Sequence, residues 1–218
     1  MQTTRRLRTA LKWSALGATG TVVAGALVRQ SVQPVRATAD EHKRPLPGDD
    51  LIANPLGEFT NAVTIHATPR AVWSWLAQMG AGRAGWYSYD ALDNGGQPSA
   101  TSIVSALQCL EVGMVFPALP GVMDGFTLAA FEPERFLILD WKTPGGVRLV
   151  SWPFVLEPLN EGSVRLIVRA RGGSGYRFFR LPPSITKRIV PVVHIVHFMM
   201  QRKQLLGIAT RAESRTAA

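Results

Sequence analysis

The sequence is poor in cysteine, and this scarcity excludes several kinds of protein. Among 218 residues only Cys109 is a cysteine, so the chain forms no internal disulfide and no zinc site built from several cysteines. A lone cysteine of this kind is typically a small buried hydrophobe. Because disulfides are optional outside the cytoplasm, the cysteine count leaves the compartment open.

Acidic residues are also scarce, and they are unevenly distributed. The chain has 15 Asp and Glu against 24 Lys and Arg, for a net charge of +9. Residues 1–36 carry +6, residues 37–164 carry −7 and residues 165–218 carry +10. The acidic middle makes a uniformly basic nucleic-acid-binding domain a poor fit, so we expect no nucleic acid partner. Hydrophobic residues make up 46% of the chain, which excludes wholesale disorder.

The motifs of several common enzyme classes are missing as well. The sequence has no G-x-S-x-G motif, and the glycine-rich stretch at residues 80–85 lacks the Lys-Ser/Thr ending of a phosphate loop. His194 and His197 are three residues apart, within reach of one metal ion on a helix. Residues 162–212 contain no acidic side chain that could complete such a site. The sequence therefore predicts no metal site and no cofactor.

What the chain does have at its amino end is a pattern typical of a membrane-directed leader. An uncharged stretch of sixteen residues, 13–28, follows a basic start and ends before Arg29. As a helix it would span about 24 Å, short of the ~30 Å hydrocarbon core. Ala37-Thr38-Ala39 supplies a small-x-small sequence suited to cleavage near Ala39.

Residues 1–36 are therefore predicted to be a membrane anchor or a cleaved signal segment, with a disordered basic tail as the remaining alternative. In both functional cases the basic amino end stays in the cytoplasm. The chain is then a single-pass membrane protein with an extracytoplasmic domain, or a protein secreted after cleavage.

The rest of the chain is predicted to be one α+β domain. Residues 37–57 contain charges and prolines and are interpreted as a linker, and the domain is expected over residues 58–214. Residues 61–66 alternate like a strand. Thr68-Pro69 is typical of a helix start, since Thr68 can cap free amides and Pro69 suits the first turn.

Short strands separated by turn-like residues come next, and a long helix ends the domain. The spacing predicts an antiparallel meander. A helix is expected from Ser184 to about Arg211, with a kink or a second start at Pro191. Its apolar residues occupy most of its circumference, which indicates that it is covered on more than one side. The five predicted strands are Gly113–Phe116, Phe126–Glu132, Phe136–Trp141, Leu149–Glu157 and Ser163–Arg171.

Five segments carry distinctive motifs, namely Arg44-Pro-Leu-Pro-Gly-Asp-Asp50, Ala71-Val-Trp-Ser-Trp-Leu-Ala-Gln-Met-Gly80, Gly85-Trp-Tyr-Ser-Tyr-Asp90, Ser151-Trp-Pro-Phe-Val-Leu-Glu-Pro158 and His197-Phe-Met-Met-Gln-Arg-Lys-Gln-Leu-Leu-Gly-Ile208. These motifs resemble the START/SRPBCC superfamily, in its bacterial polyketide cyclase/dehydrase and lipid transport branch. The resemblance implies a helix-grip fold, in which an antiparallel sheet wraps round a long carboxyl-terminal helix and often leaves an apolar hollow between sheet and helix. Members of the branch commonly carry an amino-terminal membrane helix, which favours the anchor.

The candidate ligand-binding residues follow from this implied hollow. Aromatic residues in the loop at 86–89 could line its mouth, or could seal one end of the sheet. His197 matches the His-Phe motif of the superfamily and is the only candidate for acid or base chemistry. The full set of candidates is Trp86, Tyr87, Tyr89, Trp152, His197 and Met200.

The basic carboxyl-terminal third suggests a second partner. Basic residues there alternate with aromatic residues, which suits an anionic membrane surface, where each cation contributes about 1 kcal/mol. The alternative is an ordinary solvated basic face. The residues concerned are Arg171, Arg177, Arg180, Lys187 and Arg188.

The sequence thus predicts a membrane-tethered or exported domain that binds a small hydrophobic or lipid-like ligand. No catalytic set is recognisable, so catalysis is not the favoured interpretation. Two alternatives stay open. The first is an enzyme similar to polyketide cyclases or dehydratases, and the second is an interaction domain without a ligand.

Overall fold

The computed structural model describes residues 35–121, 124–173 and 183–214, with the side chains of the last segment from residue 195 onward. The stretch 13–28 and almost all of the predicted anchor or signal segment, 1–36, lie outside the described residues. No helix in the described part of the chain is long and apolar enough to cross a membrane. The anchor and the signal segment both stay predictions.

One six-stranded antiparallel sheet forms the centre of the domain. The strand order is β1-β6-β5-β4-β3-β2, so β2 to β6 follow one another as a meander and β1 closes the edge beside β6. This confirms the predicted meander. The strands are β1 Gly57–Ile65, β2 Val115–Pro117, β3 Gly125–Glu132, β4 Phe136–Lys142, β5 Arg148–Asn160 and β6 Ser163–Gly172.

The helices are α1 Ala39–Lys43, α2 Pro69–Gln78, α3 Asp90–Asp93 and α4 Pro183–Ser214, with 3-10 turns at Asp49–Ile52 and Ser105–Leu107. Helix α2 begins where the sequence predicts, because the Thr68 hydroxyl accepts a hydrogen bond from the Ala71 amide at 3.3 Å and Pro69 occupies the first position. Helix α4 continues through Pro191, so the second start proposed there does not occur.

The main core lies between the inner face of the sheet and the helices α2 and α4. The last turns of α4 contribute Leu205, Ile208, Ala209 and Ala212, each at most 1% exposed. The α+β helix-grip arrangement is therefore confirmed. One expectation about packing is wrong, because Cys109 is exposed and is not part of the core. It lies in the irregular connection before β2, where the neighbouring Leu107 and Leu110, and not Cys109, pack against the core.

The outer face of the sheet is covered by the segment that was interpreted as a linker. Residues 39–43 form α1 and residues 49–52 form a 3-10 turn, and both pack on β6. Proline and charge made this segment look like a spacer. The structure differs because its carboxylates and carbonyl groups satisfy outward-facing arginines of β6, so most of the segment is part of the folded domain.

Candidate functional site

A cavity of about 260 Å³ lies between the inner face of the sheet and helix α4. This is near the small end of the range for ligand pockets, roughly 300–1,000 Å³. Its walls are mainly aromatic and apolar, with a few polar groups. The lining residues are Trp86, Ser88, Asp93, Ala118, Phe126, Trp141, Val150, Trp152, Ala170, His197, Met200, Gln201 and Gln204.

Four aromatic rings build one wall of the cavity. Phe126, Trp141 and Trp152 come from the neighbouring strands β3, β4 and β5, and Trp86 is added by the loop after α2. The ring centres of Phe126 and Trp152 are 4.9 Å apart, and those of Trp86 and Trp152 are 5.5 Å apart. Tilted and edge-on pairs at these distances are favourable by about 0.5–1.5 kcal/mol each beyond their burial. The wall is therefore held in place before any ligand arrives.

The loop that carries Trp86 is fixed by Tyr87. Tyr87 has a positive φ of 60° and is 2% exposed, and its hydroxyl donates to the Trp75 carbonyl at 3.1 Å. The Arg211 guanidinium lies 4.8 Å from the centre of the Tyr87 ring. Burial raises the pKa of Tyr87, so the phenol stays protonated. Tyr87 thus anchors the loop to the core and turns the neighbouring Trp86 toward the cavity.

Helix α4 approaches this loop closely because residue 207 is a glycine. A Cβ at Gly207 would lie 2.3 Å from the carbonyl oxygen of Tyr87, which is shorter than any real contact. One further contact joins the two elements, since the Ser88 hydroxyl donates to the Met200 carbonyl at 3.1 Å. This approach brings the helix side of the cavity against the loop.

A chain of hydrogen bonds fixes the polar part of the helix side. The Trp152 indole N–H donates to Gln201 Oε1 at 3.0 Å, and Gln201 Nε2 donates to Gln204 Oε1 at 2.8 Å. His197 completes this side, and its ring stacks on Phe59 with 4.9 Å between centres. Amide, indole and imidazole groups therefore stand at defined positions beside the aromatic wall.

Asp93 is the acidic group of the cavity. It is 7% exposed, and neither carboxylate oxygen accepts a hydrogen bond of normal geometry from a described residue. Burial raises the pKa of Asp93 to about 6; the neighbouring Ser88 hydroxyl opposes this rise and Asp90 adds to it. A carboxyl group with this pKa changes its charge just below neutral pH.

The structure brings together some of the predicted ligand-binding residues and not others. Trp86, Trp152, His197 and Met200 all line the cavity, and their role in binding stays a prediction. Tyr87 faces the core, as described above, and Tyr89 is 39% exposed outside the cavity lining.

Sequence reasoning missed several lining residues. Asp93 begins an Asp-Asn-Gly-Gly sequence whose local pattern indicates a turn and gives no sign of a ligand-binding group. Trp141 is not among the predicted candidates, although a tryptophan on the strand beside that of Trp152 was a usable signal. The other residues missed are Ser88, Ala118, Phe126, Val150, Ala170, Gln201 and Gln204.

One member of the predicted basic face needs a correction. The Arg171 side chain is 16% exposed and pairs with Glu58 at 2.7 Å and with Asp49 at 3.2 Å. Its charge is therefore neutralised within the domain, because it points to the covered outer face of the sheet. Arg177 and Arg180 lie outside the described residues, as do the side chains of Lys187 and Arg188.

Together, the sheet, the long helix laid across it and the aromatic cavity between them define a helix-grip domain with an internal pocket. Within the described ranges, no three His, Cys, Asp or Glu side chains are grouped so that they could hold a metal ion.

Comparison with known proteins gave structural neighbours only. No family model and no curated protein matches the chain. The aromatase/cyclase ZhuI from Streptomyces sp. R1128 is 14% identical, with 73% of this chain and 95% of that chain covered and a TM-score of 0.44. A protein of unknown function from Staphylococcus aureus is 10% identical, with 74% and 98% covered and a TM-score of 0.44.

The di-domain aromatase/cyclase BexL, from the BE-7585A biosynthetic pathway, is 12% identical. In that comparison 75% of this chain and 48% of that chain are covered, and the TM-score is 0.38. Structural neighbours of this chain thus include aromatase/cyclases and proteins of unknown function, all at low sequence identity.

Proposed function

We propose that this protein binds a small, largely apolar ligand with a ring-shaped body in the cavity between the sheet and α4. The observation that carries the proposal is the aromatic wall built from Phe126, Trp141, Trp152 and Trp86 around about 260 Å³ of space. Flat rings offer a large contact area to a flat ligand, and burial of apolar surface contributes about 25 cal/mol per Å².

The cost of the cavity supports a binder over an interaction domain without a ligand. Apolar side chains that line an unfilled pocket lack the packing contacts that a filled core would give them. Side chains larger than Ala118, Val150 and Ala170 would fill part of the space, so a cavity of this size favours a role for an occupant.

The size of the cavity also narrows the ligand class. A space at the small end of the pocket range suits one ring system better than the two acyl chains of a membrane lipid. A lipid-like ligand, the other option predicted from the sequence, is an outcome that the following experiment distinguishes.

The test is native mass spectrometry of the protein purified without detergent. We expect a noncovalent adduct of small mass on the wild-type chain. Ala170→Phe should abolish it, because Ala170 lines the cavity and is 9% exposed. Ala53→Phe is the matched control, since Ala53 is exposed and distant in sequence from the lining residues. A wild-type chain without any adduct, or an equal adduct on Ala170→Phe, would contradict the proposal.

An enzyme similar to polyketide cyclases is the second candidate. It is favoured by the presence of two groups capable of acid or base chemistry, His197 and Asp93, in one cavity. Replacement of His197 by Ala should then abolish turnover of an aromatic polyketide substrate while the chain stays folded. Unchanged turnover would remove His197 as a catalytic residue.

We also propose that residues 1–36 tether the domain to a membrane, with cleavage near Ala39 as the alternative. The support is the sequence pattern alone. Membrane fractionation of the full chain and of a variant without residues 1–36 tests the tether. A full chain that stays in the soluble fraction would contradict it.

The basic residues Arg177, Arg180, Lys187 and Arg188 are proposed to bind an anionic lipid surface. The support is again the sequence, which interleaves these cations with aromatic side chains. Flotation with vesicles with and without phosphatidylglycerol is the test, and equal binding to neutral vesicles would count against the proposal.

A further inference from the structure

The carboxylate of Asp93 is the feature of the cavity that an apolar ligand leaves unexplained. The residue is 7% exposed, it lines the cavity, and neither of its oxygens accepts a hydrogen bond of normal geometry from a described residue. Burying a charge in apolar surroundings without a partner costs free energy, and buried charges in proteins are normally paired.

No described residue supplies the missing positive charge. The described cavity lining contains no lysine and no arginine. Asp90, on the same short helix, accepts hydrogen bonds from the amide and the hydroxyl of Ser99 and adds negative charge. Arg211 stacks on Tyr87 and donates to the carbonyl of Ala100 at 2.8 Å, so it is engaged elsewhere.

The wall of the same cavity is suited to a cation. Trp86, Trp141 and Trp152 all line it, and the faces of tryptophan rings attract ammonium groups more strongly than those of other side chains. Aromatic walls combined with a carboxylate bind a protonated amine in two ways, through ring faces and through a charge-assisted hydrogen bond. A neutral alcohol gains only the weaker hydrogen bond, and an anion is repelled.

We infer that the ligand is a hydrophobic amine, whose protonated nitrogen pairs with Asp93 while its ring body lies against the tryptophan wall. This inference rests on the proposed function, since it concerns the same cavity. It adds the charge of the ligand and assigns Asp93 as the group that selects it.

The test compares three probes with one ring body and different charges. They are 2-(1-naphthyl)ethylamine, 2-(1-naphthyl)ethanol and 1-naphthylacetate, each titrated into the wild-type chain by calorimetry at pH 7.5. We expect the amine to bind about tenfold tighter than the alcohol, and the acetate to bind most weakly. In Asp93→Asn, the affinity for the amine should fall to within about threefold of the affinity for the alcohol.

Asp50→Asn is the matched control, because Asp50 is exposed and lies in the segment on the outer face. It should keep the full preference for the amine. The melting temperature of Asp93→Asn gives a second readout that does not depend on the probes. We expect it to rise at pH 7.5, since the variant removes an unpaired buried charge. If the variant fails to fold, the ranking of the three probes on the wild-type chain decides.

The possible results separate the two proposals. If the three probes bind the wild-type chain equally well and none binds Ala170→Phe, the proposed function stands and the role of Asp93 is overturned. Binding of none of them, together with no adduct in native mass spectrometry, would overturn both. A lower melting temperature for Asp93→Asn would show that Asp93 is already paired inside the protein, and it would overturn the inference.

Discussion

The two sides of the sheet differ in whether their buried charged side chains have partners of opposite charge. On the outer face Arg165, Arg169 and Arg171 of β6 each pair with at least one carboxylate. On the inner face Asp93 is buried with no counter-charge among the described residues. On the outer face the buried charges are therefore structural, because their partners belong to the fold, whereas the missing partner of Asp93 is the basis of our inference that a ligand supplies it.

On the outer face, the buried charged side chains have both ion-pair and hydrogen-bond partners within the protein. Arg169 is 1% exposed and donates to Asp49, to the Thr60 hydroxyl and to the carbonyl groups of Glu41 and Arg44. Burial disfavours the charge on Glu41, but hydrogen bonds from Arg165 and Thr38 outweigh this and lower its pKa. The segment 39–52 is therefore held to the sheet by these ion pairs.

The largest expected effect comes from a substitution that disrupts the ion pairs on the outer face of the sheet. Arg169→Met removes one of the two arginines paired with Asp49 and the guanidinium donor to the carbonyl groups of Glu41 and Arg44. We therefore expect the free energy of unfolding to fall by about 3–5 kcal/mol. Urea denaturation measures it. The control is Arg135→Met, which removes an exposed pair with Glu132 and should change stability by less than about 1 kcal/mol. Similar small losses in both variants would show that the buried network does not hold the segment.

The second effect concerns Asp93 on the inner side of the sheet, where we expect a substitution to raise the stability instead of lowering it. The pKa of Asp93 is raised to about 6 in the folded chain, against ~3.9 for an unfolded aspartate. The folded state therefore binds more protons between about pH 4 and 6, and this contribution to stability is lost as pH rises through that window. The difference in pKa corresponds to about 3 kcal/mol at most.

Asp93→Asn should remove the pH-dependent loss of stability that ionisation of Asp93 causes. The variant should therefore gain stability relative to the wild type as pH rises from 4 to 7. Urea denaturation of both chains over this range gives the difference, which isolates Asp93 from other acids such as Glu41. A difference that stays constant with pH would contradict the raised pKa.

The third effect acts on the contact that shapes the cavity. Gly207→Ala places a Cβ 2.3 Å from the Tyr87 carbonyl oxygen, so α4 must move away from the loop. We expect a loss of about 2 kcal/mol in stability and weaker binding of the naphthyl amine. Gly57→Ala is the control, since its Cβ would meet nothing within 4 Å. If the two variants have equal stability and affinity, the close approach is not required.

The smallest effect tests the polar chain beside the aromatic wall. Trp152→Phe keeps a ring in the wall but removes the donor to Gln201, so we expect a loss of about 1 kcal/mol. Thermal unfolding measures it. The matched control is Trp141→Phe on the neighbouring strand. An identical effect in both variants would mean that the hydrogen bond to Gln201 contributes nothing of its own.

The sequence-based predictions were accurate where the signal is local. Alternating strands and the Thr68-Pro69 helix start depend on neighbouring residues, and the structure confirms both. The motifs at residues 85–90 and 151–158 contain the candidates Trp86 and Trp152, and both line the cavity.

The predictions failed where a residue's role depends on distant partners. Arg169 and Asp49 are 120 positions apart, so nothing local distinguishes this buried pair from solvated charges. Asp93 precedes an Asn-Gly-Gly turn that is typical of exposed loops. It shares the cavity with Gln201 and Gln204 of α4, which come near because α4 approaches the loop at residues 86–88. Composition and periodicity contain no information about that approach.

The most direct test of the account is to locate the ligand by NMR of the methionine methyl groups. Met200 lines the cavity, whereas Met79 is buried in the core outside the lining. On titration with 2-(1-naphthyl)ethylamine, we expect the Met200 methyl signal to shift strongly because the naphthyl ring of the probe comes to lie beside it. The Met79 signal should stay in place. Equal shifts of both signals, or no shift at Met200, would contradict binding in this cavity.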